Sequence, residues 1–193
     1  LNLLINGQRI PHHPEDQHPN IVTVYDFGVA DDSIYIAMEY VPDSLDRYTR
    51  DRRPIEFDRV LRIALEVCAG LSVAHKNRVI HRDIKPHNIL LTDRDSVKIA
   101  DFGIARAATS SSVATAMIGT FYYMSPEQWE GTRIDGRSDI YSLGLMLYQM
   151  LTGQLPFQGS AAELFRQHHN EPLPKIPSSF NVPRALESVV RKA

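Results

Sequence analysis

Cysteine is almost missing from this chain. Cys68 is the only one, so no internal disulfide can form, and such usage fits a reducing compartment. Long hydrophobic runs are missing too. No stretch approaches the ~18 consecutive apolar residues of a membrane-spanning helix. Residues 1–17, LNLLINGQRIPHHPEDQ, lack the basic start and apolar centre of a signal peptide. Neither sign of charge dominates: 21 Lys and Arg face 23 Asp and Glu, for a net charge of −2. That balance removes the bulk electrostatic case for nucleic acid or an anionic membrane as partner. Lysine does not occur before Lys76, and residues 1–17 hold one glycine, Gly7.

What remains is a globular composition. The hydrophobic fraction is 43% of 193 residues, ordinary for a folded protein and enough for a sizeable core. The length suits one or two domains. Strand-forming residues come first. IVTVYDFG (21–28) and SIYIAMEYV (33–41) read as strands, with ADD between them as a hairpin turn. DSLDRYTRDRR (43–53) reads as a short polar helix ended by Pro54. From Glu56 to His75, Val60, Ile63, Val67, Leu71 and Ala74 recur at helical spacing. Two short strands, Ile89 to Leu91 and Val97 to Ala100, flank the turn TDRD. Residues 107–120 are small and hydroxyl-rich, which predicts a loop. DIYSLGLMLYQMLTG (139–153) is apolar nearly all round and so predicts a buried helix stopped by Gly153. EPLPKIP (171–177) is loop, and residues 182–193 begin a last helix.

The segment VIHRDIKPHNILL (79–91) stands out. His81, Arg82, Asp83, Lys85 and Asn88 crowd together between apolar flanks. A second acidic tripeptide, Asp101-Phe102-Gly103, follows the next pair of strands. Two acids and an amide converging from loops at strand ends can hold a divalent metal through oxygen. Mg2+ prefers such ligands and commonly shares them with phosphates. Lys85 then lies near a transferring phosphoryl group and Asp83 near a hydroxyl nucleophile. Phosphoryl transfer needs mainly positioning and charge neutralisation. The histidines carry no such pattern. His12, His13, His18, His168 and His169 have no accompanying Cys or acid set, and read as solvated surface. Met38 reads first as packing, and TSSSVAT (109–115) as a flexible loop.

These motifs, in this order, resemble the protein kinase family. HRDIKPHN is similar to its catalytic loop and DFG to its metal-binding motif. GTFYYMSPEQ (119–128) is similar to the segment closing the activation loop, with Ser125-Pro126-Glu127 where Ala-Pro-Glu is usual. SDIYSLGLMLYQMLTGQLPF is similar to the central helix of the large lobe. The wording KIADFGIARA with YMSPEQ is closer to the eukaryotic-like kinases of bacteria than to animal kinases. The resemblance implies an α+β, protein-kinase-like fold. Residues 18–193 are then a partial kinase domain, with the end of the small lobe at 18–41 and the large lobe at 42–193. Residues 1–17 stay unassigned.

The resemblance also implies roles. ATP and Mg2+ are the expected cofactors, and Ser/Thr-bearing proteins the expected substrates. Asp83 orients the acceptor hydroxyl and accepts its proton. Lys85 contacts the γ-phosphate and marks Ser/Thr specificity. Asn88 and Asp101 hold the metal. Met38 lies at the back of the nucleotide pocket, Glu39 to Val41 offer backbone groups to adenine, and Leu90 forms its floor. Thr120 lines the acceptor pocket. Asp139 braces the catalytic loop, and His81 and Phe102 stack in a column beside Gly103. Arg82 receives a phosphate placed on the loop, at Thr109 or Thr115 or a nearby serine. A cytoplasmic location follows, either free or as the cytoplasmic domain of a membrane-anchored kinase.

Departures from the family pattern are as telling. The family uses a Gly-rich loop over the phosphates and a strand lysine paired with a helix glutamate. No lysine before Lys76 can serve, and residues 1–17 contain no such loop. Nor does the chain reach the family's later arginine that pairs with Glu127, which leaves that carboxylate without its expected partner. The chain therefore reads as a kinase domain cut at both ends and inactive by itself. Two other classes compete: a non-catalytic, pseudokinase-like binding module, and a small-molecule phosphotransferase. Intact Asp83, Asn88 and Asp101 disfavour the first, and the peptide-docking character of GTFYYMSPEQ disfavours the second.

Overall fold

The computed structural model describes residues 3–5, 8–10, 18–30, 33–102 and 120–193. Strands β1 (Leu3–Ile5) and β2 (Gln8–Ile10) pair as a small antiparallel hairpin. Strands β3 (Val24–Ala30) and β4 (Ser33–Met38) form a second antiparallel ribbon, in register from Val24–Met38 to Ala30–Ser33. The predicted strand at 21–28 thus starts late. Ile21 makes only an isolated parallel bridge to Ile99. A third sheet joins β5 (Asp43–Ser44), β6 (Ile89–Leu91) and β7 (Val97–Ile99) in that order.

The polar helix expected at 43–53 is largely replaced. Asp43 and Ser44 pair with Leu91 and Leu90, and helix α1 is confined to Asp46–Thr49. The reason is Leu45. It is fully buried and donates its amide to the Ile89 carbonyl at 2.8 Å, so the chain must run along β6 before it can coil.

Helix α2 (Phe57–Lys76) follows its sequence pattern. Glu56 caps it by accepting from the Arg59 amide, and Val60, Ile63, Val67, Leu71 and Ala74 are all buried. Full burial of a large aliphatic side chain contributes about 1.5–3 kcal/mol, so this face anchors the core. Helix α3 is Pro126–Glu130 and α4 is Gly136–Thr152. Helix α4 begins three residues before its predicted start because Asp135 caps it through the Arg137 amide. Its first residue must be small: a Cβ on Gly136 would stand 2.8 Å from Nδ1 of His75 on α2. Helices α5 (Ala161–Asn170) and α6 (Arg184–Val190) complete the order. Helices α2 and α4 pack on each other, and α2 also covers β7. The catalytic-loop candidate therefore leaves one core helix and is overlaid by the other. Among the described residues, no helix is long and apolar enough to cross a membrane.

Gly153 closes α4 in the left-handed region, at φ +71°, as its sequence position predicts. A Cβ there would meet the Arg52 carbonyl oxygen at 2.5 Å. Both backbone strain and overpacking oppose any side chain. Gly153→Ala should lower unfolding free energy by about 2 kcal/mol, read as an earlier urea midpoint. A midpoint equal to wild type would mean that the loop at Arg52 yields freely.

Candidate active site

The loop between α2 and β6 is held by a single carboxylate. Asp139, fully buried near the start of α4, accepts from the His81 amide at 2.9 Å and the Arg82 amide at 2.8 Å. The same side chain meets Nε2 of His75 at 2.7 Å. A buried carboxylate is tolerable only when donors satisfy it, and here three converge from two segments. Arg82 sits at φ +70°, a conformation uncommon for a residue with a side chain. Its two flanking contacts hold it there: its amide to Asp139, and its carbonyl accepting from Gln128 Nε2 at 2.7 Å.

His81 is buried and bridges two loops. Its Nε2 lies 2.7 Å from the Ala100 carbonyl, and its Nδ1 accepts from the Asp83 amide at 3.2 Å. Those partners fix the tautomer, since a carbonyl can only accept and an amide can only donate. Its ring meets Phe102 edge-on at 4.6 Å. Ala100 is tied again, donating its amide to the Asn88 carbonyl at 2.9 Å. Residue Asp101 is thereby brought beside the loop. It adopts φ +62° and is exposed.

The polar cluster itself is compact. Asp83 Oδ2 takes Lys85 Nζ at 2.7 Å and Asn88 Nδ2 at 3.0 Å. Asn88 Nδ2 also donates to the Asp83 carbonyl at 2.8 Å, while Lys85 Nζ donates to Thr120 Oγ1 at 2.9 Å. Asp83, Lys85, Asn88 and Thr120 thus share one site. With its nitrogen engaged, Asn88 has its amide oxygen left to face a ligand. That oxygen and the exposed Asp101 carboxylate are hard donors suited to Mg2+. Among the described residues no cluster of three or more His, Cys, Asp or Glu could hold a metal.

The nucleotide-side candidates lie on β4, the segment after it, and β6. Met38 is exposed, Leu90 is half-buried and pairs with Lys98, and Val41 is half-buried. Glu39 has one backbone group already engaged. Its amide donates to the Thr23 carbonyl at 2.8 Å, so its own free backbone group is the carbonyl. Its carboxylate pairs with Lys98 at 2.9 Å and accepts from the Thr23 amide.

Two expectations need correction. Glu127 has a partner: it accepts from the Ser138 hydroxyl and is only half-buried, so it is not an isolated buried charge. His168 is not solvated surface. It is buried on α5, between Tyr141 and the Phe121 carbonyl. Packing decides which face of an amphipathic helix is hidden, and the histidine lies on that face. Gly103, Thr109 and Thr115 lie outside the described residues, as do His12 and His13. Gln128, which ties the docking segment to Arg82, was missed. Its signal was present as the capping pair Ser125 and Gln128 around Pro126.

The sequence profile described as the protein kinase domain matches residues 9–190. The match takes in residues 9–17 as well. The chain is 39% identical over 181 residues to the serine/threonine-protein kinase PrkC of Bacillus subtilis, covering 91% of this chain and 28% of that protein. It is 42% identical over 186 residues to the serine/threonine-protein kinase PknB of Mycobacterium leprae, covering 91% of this chain and 30% of the relative. The PknB of Mycobacterium tuberculosis is 41% identical over 187 residues, with the same coverages of 91% and 30%. The chain thus spans less than a third of the length of these relatives.

The bracing carboxylate makes a direct prediction. Asp139→Ala strands two buried amides, and should cost about 3–5 kcal/mol of stability. Asp139→Asn keeps one acceptor oxygen and should cost less than the alanine. Urea unfolding measures both. An alanine variant within about 1 kcal/mol of wild type would show that solvent replaces the brace.

Proposed function

The chain belongs to the protein kinase domain family, and from that premise we propose that it forms the catalytic lobe of a serine/threonine protein kinase. In this reading the γ-phosphate of ATP passes to a Ser or Thr hydroxyl of a protein. The acceptor oxygen bonds to phosphorus as the bond from phosphorus to the ADP oxygen breaks. The hydroxyl proton goes to the Asp83 carboxylate. The observation that carries the proposal is the shared contact of Asp83, Lys85, Asn88 and Thr120. It gathers a base, a cation and an acceptor-side hydroxyl within one hydrogen-bonded set.

Asp83 is oriented before any substrate arrives, because Asn88 and Lys85 fix its carboxylate from two sides. Lys85 can follow the phosphate charge as it moves, while Thr120 keeps it on the acceptor side. Asn88 and Asp101 would hold Mg2+, which when bound neutralises phosphate charge. Leu90 would form the floor under adenine and Met38 the back of its pocket, with the Glu39 carbonyl and the backbone up to Val41 on its edge. The chain has no lysine before Lys76, so no lysine of residues 1–75 can neutralise phosphate from the small-lobe side. Alone, residues 1–193 are expected to transfer no phosphate.

Arg82 is the proposed receptor for a phosphorylated loop. Its Nε is buried with no hydrogen-bond partner among the described residues, and a guanidinium N–H left without an acceptor favours an anion. A phosphate at Thr109, Thr115 or the serines between them would supply about −1.5 to −2 charge. With every hydroxyl of 109–115 changed to alanine, active protein should lose most of its activity. Full activity in that variant would refute the receptor role.

The main test joins this chain to the N-terminal lobe of a relative and follows radiolabelled γ-phosphate into a Ser/Thr peptide. Asp83→Asn should cut turnover by about 10²–10⁴-fold, with KM for ATP little changed, because the base acts mainly in the transition state. Undiminished turnover in that variant would remove Asp83 from the chemistry.

A further inference from the structure

Helix α5 delivers one buried polar side chain to the segment that leads away from Thr120. His168 is 5% exposed, and both ring nitrogens are engaged. Nε2 lies 3.1 Å from the Phe121 carbonyl, and Nδ1 lies 2.8 Å from the Tyr141 hydroxyl. A carbonyl only accepts, so Nε2 carries the proton and Nδ1 accepts from Tyr141. Burial, with His169 alongside, pushes the imidazole pKa down to about 4, which suits this single neutral tautomer. Around it the rings of Phe157, Tyr141 and Trp129 pack at 5.0, 5.8 and 6.3 Å. Trp129 in turn stacks on Phe121 at 4.9 Å.

The partner of His168 matters more than its burial. Phe121 directly follows Thr120, whose hydroxyl accepts from Lys85. The Tyr123 amide donates to the Thr120 carbonyl at 3.1 Å, and the Tyr123 carbonyl accepts from Ser142 at 2.7 Å. Residues 120–123 are therefore gripped by the catalytic loop at one end and α4 at the other. Between them, among the described residues, His168 is the side chain that bonds to the Phe121 carbonyl. We infer that His168 is a positioning residue: through the Phe121 carbonyl it sets the height of the acceptor-docking segment relative to Lys85 and Asp83. The inference rests on the kinase reading only for what docks there. Tyr141 acts one step further back, by holding the tautomer.

The test has two arms. In the first, amide hydrogen exchange is measured on residues 1–193 carrying His168→Leu, His168→Gln or Tyr141→Phe. Trp129, the only tryptophan, reports urea unfolding for each variant by fluorescence. The leucine variant should exchange the Tyr123 and Ser125 amides roughly tenfold faster, while Val67 and Leu71 in α2 keep wild-type rates. The glutamine variant, whose amide nitrogen can still donate to Phe121, should restore slow exchange, and Tyr141→Phe should fall between. Wild-type exchange in the leucine variant, uniform acceleration along the chain, or a glutamine variant as fast as leucine would each overturn the inference. In the second arm, the lobe-completed protein should show the acceptor-peptide KM raised roughly tenfold by His168→Leu, with KM for ATP unchanged. A fall in kcat with both KM values intact would also overturn it. Absent transfer in wild type would count against the kinase reading alone, and the exchange arm would still decide the role of His168.

Discussion

The carboxylate of Asp139 is the constraint on which the site depends. It accepts from two consecutive loop amides and from a histidine on the preceding helix, across 57 to 64 residues of sequence. An ionised acceptor makes stronger bonds than a neutral one, and each amide would be costly to leave bare. The left-handed turn at Arg82 is over-determined for this reason. Such a conformation stores about 1–3 kcal/mol, and the contacts on both sides of it offset that strain. Gly136 belongs to the same device. Without a side chain there, His75 can lie against the start of α4 and reach Asp139.

A second consequence concerns the acceptor side. Arg82 gives its amide to Asp139 and its carbonyl to Gln128. Gln128 also caps α3 with Ser125, the helix that follows the docking segment. Thr120 meets Lys85, and Tyr123 meets Ser142 on α4. The loop that carries Asp83 and the segment that starts at Thr120 are thus built on the same helix. Displacing one strains the other, because packed and hydrogen-bonded interiors transmit small shifts instead of absorbing them.

The helical core was readable because its signal is local. Val60, Ile63, Val67, Leu71 and Ala74 repeat at the helical period and are all buried, and α4 was apolar nearly all round. The contacts among Asp83, Lys85 and Asn88 were readable because these residues are close in sequence and chemically dense. Strand β5 was not. Two residues carry no period, and their pairing with Leu90 and Leu91 is a long-range choice made by the burial of Leu45. Helix α5 went unread, although the capping pair Ser160 and Glu163 marks its start. Its length and the buried role of His168 depend on what α5 packs against, which no local pattern states. The partner of Glu127 is of the same kind: Ser138 is unremarkable in sequence and matters only by its position on α4.

Residues 18–23 and Glu39 are anchored to the helical core. Asn20 is buried against α2, donating Nδ2 to Glu66 and to the Val97 carbonyl, each at 2.9 Å. Backbone bonds tie Asn20 and Val22 to Ile99, and Lys98 holds Glu39. Beyond these anchors the ribbon of β3 and β4 turns Tyr25, Val29 and Tyr35 outward, all exposed. Apolar area left in water forgoes about 25 cal/mol per Å², so this ribbon gains from cover. Asn20, Val22 and Glu39, by contrast, are bonded to β7 and α2. Mechanically they belong with that core. The edge along which adenine would lie is therefore set by Lys98, Thr23 and Asn20, and not by the ribbon to which it is joined in sequence.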